Sequence, residues 1–373
     1  VTTTPSPSWI HSLAPYQPGK PASELERELG IHEIVKLASN ENPGGPSPLA
    51  VEAMQRAVTD VRLYPDPSAH ELRTAIAARH GVGLERVVVG NGSNAIITNL
   101  VRAFCAPGES VVSSEFGFVA YRIVASAAGV ESILAAETSL RTDVRAVAAA
   151  CRPDTRIVFI ANPNNPTGTW NRRDELEWLC DNVPPETLLV IDEAYFEYAI
   201  HAGVPDATEL FGRRENLAVM RTFSKAYGLA GCRVGYLVGP AYVAERLLRI
   251  REPFDVNHVA QAGALAALAD EQFIADTVGR NATERDRLEA GLRALGCETW
   301  ASAGNFVLFR TSLDGKLLFE RLLRDGVIVR PVGAYGLPRH VRVTVGTDSQ
   351  NQRFLSALAG ALAESPDTNV RSS

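Results

Sequence analysis

Lys225 lies in the string Arg221-Thr222-Phe223-Ser224-Lys225-Ala226-Tyr227-Gly228-Leu229-Ala230-Gly231-Cys232-Arg233, whose residue types suggest a chemistry. The apolar run 217–220 just before it reads as a buried strand. A lysine placed there is partly desolvated, which disfavours its charge and leaves a nucleophilic amine able to form a Schiff base with an aldehyde. The hydroxyls of Thr222 and Ser224 and the guanidinium of Arg233 suit a phosphate monoester. The string therefore asks for an aldehyde that carries a phosphate. Taken alone, the string also fits a surface loop with a solvated lysine, though less well, so the other motifs decide.

Four of them follow apolar runs. Gly90-Asn91-Gly92-Ser93-Asn94-Ala95 leads into a helix, and its glycines allow backbone N–H groups and a helix N-terminus to face an anion. Phe116 follows the next run and could lie over a flat ring or belong to the core. Asn162-Pro163-Asn164-Asn165-Pro166-Thr167-Gly168 is a rigid turn presenting amide donors. Asp192-Glu193-Ala194-Tyr195 ends a five-residue apolar run, where a carboxylate is costly unless paired. A protonated pyridine nitrogen is one partner for Asp192 and a structural salt bridge is another. Pyridoxal phosphate supplies the aldehyde, the phosphate and the pyridine. A competing reading comes from the glycines, which satisfy G-x-G-x-x-A with Glu115 near the end of the following strand, as in a nicotinamide-dependent oxidoreductase. That reading gives Lys225 no work.

Positioning these residues requires strands that end together. Strands are expected over 86–89, 110–113, 156–161, 188–191, 218–222 and 234–238, with helices over 95–105, 119–128, 144–149 and 174–180. Apolar runs separated by helices predict an α/β fold, a mainly parallel sheet sandwiched by helices, with ligands at the carboxyl ends of the strands. Helices over 241–251 and 259–268 precede a long amphipathic one over 273–295, expected to act as a hinge. Strands over 306–310, 327–332 and 341–345 and helices over 316–324 and 350–362 make a smaller α+β domain. In the strand 341–345, alternation sends Arg342 and Thr344 to the face opposite Val341, Val343 and Val345, while Arg330 is expected to approach from another direction. The expected domains are an N-terminal arm (1–50), a large domain (51–280), a small domain (281–364) and a disordered tail (365–373).

With 373 residues, a formal charge of −6 and a pI near 5.7, the chain lacks the basic character of a nucleic-acid binder. Its five cysteines are dispersed without C-x-x-C spacing, which argues against a metal or redox site and fits a reducing compartment. No apolar run reaches membrane-spanning length and the first residues lack a signal-peptide core, so a cytoplasmic location is expected.

Taken together and in order, the motifs resemble the histidinol-phosphate aminotransferase family of fold-type I pyridoxal-phosphate enzymes, over about residues 9–362. The resemblance also rests on Lys36-Leu37-Ala38-Ser39-Asn40-Glu41-Asn42-Pro43, Tyr64-Pro65-Asp66, Gly304-Asn305-Phe306 and Val341-Arg342-Val343-Thr344-Val345-Gly346. It implies a seven-stranded-type sheet and an arm that joins the small domain and a homodimer contact. Lys225 would bond to the cofactor, Asp192 would hold its ring nitrogen protonated, and Asn165 and Tyr195 would bind its phenolic oxygen. Phe116 would stack on the ring. Ser93, Asn94, Thr222, Ser224 and Arg233 would hold its phosphate, joined by Tyr64 from the partner subunit. Arg342, with Arg330, Asn305 and Tyr16, would take the anionic end of the substrate. The implied reaction converts histidinol phosphate and 2-oxoglutarate to imidazole acetol phosphate and glutamate, with an aromatic amino acid aminotransferase as the alternative. The chain departs from the family pattern at Asn94-Ala95, where Asp-Glu is usual, at Ala14, and at Asp255 and His258.

Overall fold

The apolar runs upstream of Gly239 become strands of one sheet in the computed structural model, which describes residues 6–11, 13, 20–31 and 33–364. They are β1 (Val87–Gly90), β2 (Ser110–Ser114), β3 (Glu131–Ala135), β4 (Thr155–Ala161), β5 (Leu188–Asp192), β6 (Leu217–Thr222) and β7 (Gly235–Val238). Their order across the sheet is β1-β7-β6-β5-β4-β2-β3. Every neighbouring pair is parallel except those made by β7, which runs antiparallel to both β1 and β6.

Alternation along the strands explains why they read as unbroken apolar runs. Leu188 and Val190 of β5 pack on one face with Ala218 and Met220 of β6, while Leu189 and Ile191 pack on the other with Leu217 and Val219. Helices α1 (Ser93–Phe104) and α2 (Val119–Ala127), with helix Ala241–Ile250, cover the first face; helices Val144–Ala149 and α3 (Arg173–Asn182) cover the second. Helices His70–His80 and α4 (His258–Ala269) close over Val87, Val89, Tyr236 and Val238. A sheet buried on both faces has no polar alternation to show.

Two compact units result. The larger contains Gly44–Gly279, Ser302–Gly304 and the described residues of 1–16; the smaller contains the described residues of 17–43, Arg280–Ala301 and those from Asn305 onward. In the smaller, β8 (Glu298–Thr299), β9 (Phe306–Arg310), β10 (Arg330–Pro331) and β11 (His340–Thr344) form an antiparallel sheet ordered β8-β9-β11-β10. Its core combines Val307, Phe309, Val341 and Val343 with Leu288 and Leu292 of α5 (Glu271–Ala294), Leu318 and Leu322 of α6 (Gly315–Arg324), and Phe354 and Leu358 of α7 (Asp348–Ala363).

Three features differ from the expectation. The run 327–332 is not one strand: Val327–Ile328 pairs in parallel with Val35–Lys36, and Arg330–Pro331 pairs with β11. The edge strand β3 was not expected, because only Ile133, Leu134 and Ala135 in it are apolar and Leu134 is exposed. A short hairpin, Glu137–Thr138 with Arg141–Thr142, follows it. The Ala14-Pro15-Tyr16 motif and the tail 365–373 lie outside the described residues.

Arg214 ties the end of α3 to the start of β5. Its guanidinium is buried and donates to the carbonyls of Cys180 (3.1 Å), Val183 (2.9 Å), Pro184 (2.6 Å) and Thr187 (2.5 Å). Replacing Arg214 with alanine strands several buried acceptors and should cost about 2–4 kcal/mol. Urea or thermal unfolding checks this; a midpoint within error of wild type would show that the carbonyls find other partners.

Candidate active site

Asp192 and the turn that carries Lys225 stand at the carboxyl ends of neighbouring parallel strands, β5 and β6. Asp192 continues the alternation of Leu188 and Val190 and so points into the face covered by α2. There its Oδ2 accepts a hydrogen bond from Tyr121 Oη at 2.7 Å, and its Oδ1 accepts one from the Ala194 amide at 3.1 Å. Burial pushes the carboxyl up to about 6, opposed by Tyr121, the Ala194 amide and the charge of Lys225.

After Thr222 the chain turns. The amide of Gly228 donates to the Lys225 carbonyl (2.9 Å) and that of Leu229 to Phe223 (3.0 Å), while Phe223, Ala226, Tyr227 and Leu229 are buried. Lys225 itself is half-buried, with Nζ 5.6 Å from the centre of the Tyr195 ring. Gly228 has φ +71°, and a Cβ there would lie 2.2 Å from the Gly45 carbonyl oxygen. Only glycine fits the turn. This is no solvated surface loop.

An anion cradle lies beside it. Gly92 precedes α1, whose N-terminus has no side-chain cap and no acidic residue in its first turn, leaving Ser93 half-buried and Asn94 exposed at the start of the helix. A Cβ on Gly92 would meet Arg233 Nη2 at 2.5 Å, so the glycine admits the guanidinium to the helix end. Arg233 Nη1 reaches Ser224 Oγ at 3.4 Å and the Ala230 carbonyl at 3.0 Å. Thr222 Oγ1 accepts from the Ser224 amide at 3.1 Å. Uncapped amides, two hydroxyls and an arginine are the donor set a phosphate needs.

Asn165 and Tyr195 are buried. Of the three loop amides, Asn162 and Asn164 serve the loop itself: Asn162 bonds to Asn171, and Asn164 Nδ2 donates to Phe116 O (3.2 Å) and Thr167 Oγ1 (3.0 Å). Asn164 thus fixes the backbone of Phe116 from one side. Glu137, which the sequence did not single out, accepts the Phe116 amide at 3.2 Å from the other, with its carboxyl raised to about 7 by burial. Tyr64 is 81% exposed and stacks on Phe254 with ring centres 4.5 Å apart. With Asp66, His70 and His258 it lines a cavity of about 630 Å³. At the other departures from the family pattern, Asp255 pairs with Arg251 at 3.4 Å, and His258 opens α4.

Arg330 and Arg342 are directly opposite one another in the β10–β11 ladder, so both side chains leave the same face of the small sheet. The separate approach expected for Arg330 is corrected by this register. Arg342 donates to the Ala38 carbonyl at 2.6 Å and lies over the Phe306 ring. Asn305 Nδ2 donates to the carbonyls of Asn40 (3.1 Å) and Glu41 (3.3 Å), leaving its buried Oδ1 without a hydrogen-bond partner. Tyr16 lies outside the described residues.

The sheet order disposes of the dinucleotide reading. β1 is an edge strand whose one neighbour is the antiparallel β7, and four strands separate it from β2. Glu115, after β2, therefore lies far across the sheet from the glycines after β1, where no ribose could be shared.

A lysine turn and a buried carboxylate on adjacent strand ends, beside an anion cradle, are the arrangement expected of a pyridoxal-type aminotransferase, and the profile of the aminotransferase class I and II family matches residues 32–358. Histidinol-phosphate aminotransferase 1 of Thiobacillus denitrificans is 49% identical over 368 residues, 98% of this chain and 96% of that protein. Histidinol-phosphate aminotransferase 2 of Nitrosospira multiformis is 46% identical over 359 residues, 96% and 92% of the two chains. The crystal structure of histidinol-phosphate aminotransferase from Sinorhizobium meliloti in complex with pyridoxal-5'-phosphate superposes with a TM-score of 0.89 at 29% identity, covering 97% of this chain and 98% of that one. An aspartate aminotransferase double mutant from Thermus thermophilus gives 0.83 at 25% identity, covering 96% and 100%. The chain belongs to the histidinol-phosphate aminotransferase family within the class I and II aminotransferases.

On the sheet face opposite Asp192 lies an ion cluster that the sequence did not reveal. Arg221 of β6 bonds to Glu193 Oε2 through Nε (2.9 Å) and Nη2 (2.7 Å), reaches Asp206 at 2.8 Å, and stacks on Phe196. An arginine inside an apolar strand was the available signal. Arg221→Ala abandons a wholly buried Glu193 and should cost about 3–5 kcal/mol. Denaturant unfolding reads this directly; a loss under 1 kcal/mol would mean the cluster is not a clamp.

Proposed function

We propose that the protein transfers the amino group of histidinol phosphate to 2-oxoglutarate, giving imidazole acetol phosphate and glutamate, with pyridoxal phosphate as cofactor. The residues fit that cofactor: the cradle matches its phosphate, and Asp192 keeps acceptor capacity beyond its two hydrogen bonds. When bound, pyridoxal phosphate supplies an aldehyde that exchanges amines and a ring that accepts the electron pair left when a C–H bond breaks. Lys225 would hold the cofactor at its aldehyde, and its amine would take the proton from the amine-bearing carbon of the substrate. Asp192 holds the proton on the ring nitrogen. Asn165 and Tyr195 would serve the phenolic oxygen, Phe116 would support the ring, and Ser93, Asn94, Thr222, Ser224 and Arg233 would hold the phosphate. Arg342 and Arg330, with Asn305 and Tyr16, receive the anionic end of the substrate.

The observation that carries the substrate assignment is the facing pair Arg330 and Arg342. Like charges directly opposite in a ladder repel, and a phosphate can share both guanidinium groups while a carboxylate has one oxygen fewer to offer. Single-turnover measurements of the two half-reactions test it. Lys225→Ala should abolish both, and Arg342→Ala should damage both. Arg330→Ala should lower the specificity constant for histidinol phosphate far more than that for 2-oxoglutarate, the losses spanning about 30- to 3,000-fold. Equal losses in both half-reactions for Arg330→Ala would favour an aromatic amino acid as donor.

The proposal includes a homodimer in which Tyr64 serves the partner's cofactor phosphate. It is supported by the exposure of Tyr64 together with Val58, Val61 and Leu63 on the same short stretch. The arm 1–50, the large domain 51–280 and the small domain 281–364 belong to the same reading. So does a cytoplasmic location, which the five free thiols suit; among the described residues no helix is long and apolar enough to cross a membrane. Mixing inactive Tyr64→Ala and Lys225→Ala subunits should restore activity, because a hybrid dimer contains one site with both groups. Hybrid dimers that form and stay inactive would refute the sharing.

A further inference from the structure

We propose that Tyr121 is a positioning residue for the reaction: from α2 it fixes the orientation and the negative charge of the Asp192 carboxylate that receives the cofactor's ring nitrogen. The inference rests on the pyridoxal-phosphate reading above and assigns a role to a side chain that the motifs left out.

Three observations carry it. Tyr121 is fully buried, and its ring is held on both sides, stacked on Phe159 with centres 4.7 Å apart and planes 5° apart, and edge-on to Phe118 at 5.7 Å. Phe159 of β4 belongs to the same sheet face as Asp192, so the rings aim the hydroxyl along one direction. At the end of that direction is Asp192 Oδ2, 2.7 Å away, a separation typical of a hydroxyl donating to a carboxylate.

A carboxylate has about four lone-pair sites, and two of those on Asp192 are taken, one on each oxygen. The torsion that turns a carboxyl group is soft, so two fixed donors determine where the remaining lone pairs point. The Ala194 amide moves with the chain of Asp192 itself; Tyr121 belongs to a different element and sets the carboxylate against the sheet. Besides burial, the side chains that bear on the ionisation of Asp192 are Tyr121 and Lys225. Lys225 is the amine the reaction engages, so its charge is not constant through turnover. A phenol keeps its proton across the neutral range and donates throughout. Tyr121 is therefore the side chain that opposes desolvation of Asp192 at every stage.

Tyr121→Phe removes one hydroxyl and leaves the ring stack. The test uses full-length wild type and variant freed of cofactor, titrated with pyridoxal phosphate and with its 1-deaza analogue, in which a C–H replaces the ring nitrogen, between pH 5 and 9. Wild type should prefer pyridoxal phosphate, with the preference fading below pH about 6 as Asp192 takes a proton. Tyr121→Phe should lose about ten-fold or more of that preference, the cost of a hydrogen bond to a charged group, with affinity for the analogue within about two-fold of wild type. The fade should move toward neutral pH, because loss of a donor to the ionised form raises an acid's pKa. Turnover should fall about 10- to 100-fold with little change in KM. Asp192→Asn provides the comparison, since it should show no such preference.

A variant that weakens both ligands equally, or that keeps the wild-type preference and pH profile, overturns the inference and leaves the proposed function standing. A wild type that binds neither compound overturns both.

Discussion

Burial strips a carboxylate of its hydration, and Asp192 has two hydrogen bonds and one neighbouring amine to set against that loss. The balance leaves the group near the point where it would accept a proton. In the proposed function, a cationic ring nitrogen would resolve the deficit, and the deficit would give the site a preference for such a ring. The local structure around β5 and β6 serves this one anion. The stacked rings of Phe159 and Tyr121 direct a donor at it, and the turn after Thr222 brings Lys225 beside the end of its strand.

Alternation lets a single pair of strands do two jobs. Even-numbered residues of β5 and β6 face α1 and α2, which places Asp192 and Thr222 on the site side. Odd-numbered residues face the other way, which places Glu193 and Arg221 together at the same level of the sheet. Their ion pair spans the same two strands whose ends carry the reactive groups, and the Ala207 amide donates to the other Glu193 oxygen at 2.8 Å. A wholly buried contact in which two N–H groups converge on one carboxylate oxygen has little freedom to slide. It fixes the register of β5 against β6, and hence the separation of Asp192 from the Lys225 turn.

The strands that hold the site were legible because both of their faces are apolar, and the carboxyl-end motifs followed from parallel topology. What periodicity could not supply was anything set by a partner distant in the chain. Tyr121 sits in an apolar helical stretch where an aromatic residue reads as core, and its hydroxyl acquires meaning only from Asp192, seventy-one positions away. The G-x-G-x-x-A string was ambiguous until the sheet order placed β1 and β2 far apart. The run 327–332 looked continuous, yet Val329 and its neighbours serve two different sheets, a division that depends on Val35–Lys36 being nearby. The same division is why Arg330 was misdirected: it belongs to the short strand beside β11 and not to the end of a longer one.

In the proposed function, the arginine pair would give the small sheet selectivity for a doubly charged ligand. In β11, Val341 and Val343 join the small core, so Arg342 has to leave the opposite face, and the ladder puts Arg330 across from it. Among the contacts of Arg342, the carbonyl of Ala38 accepts one N–H and the Phe306 ring lies under the guanidinium. A backbone dipole and a π-face temper the repulsion between the two cations. In the proposed function, an incoming anion would relieve the repulsion that remains between them once the sheet has formed. That relief grows with the charge on the ligand, because each guanidinium gains from the whole of it. A phosphate monoester with nearly two charges at neutral pH would gain more there than a carboxylate with one, which is the ordering of substrates the proposed function requires.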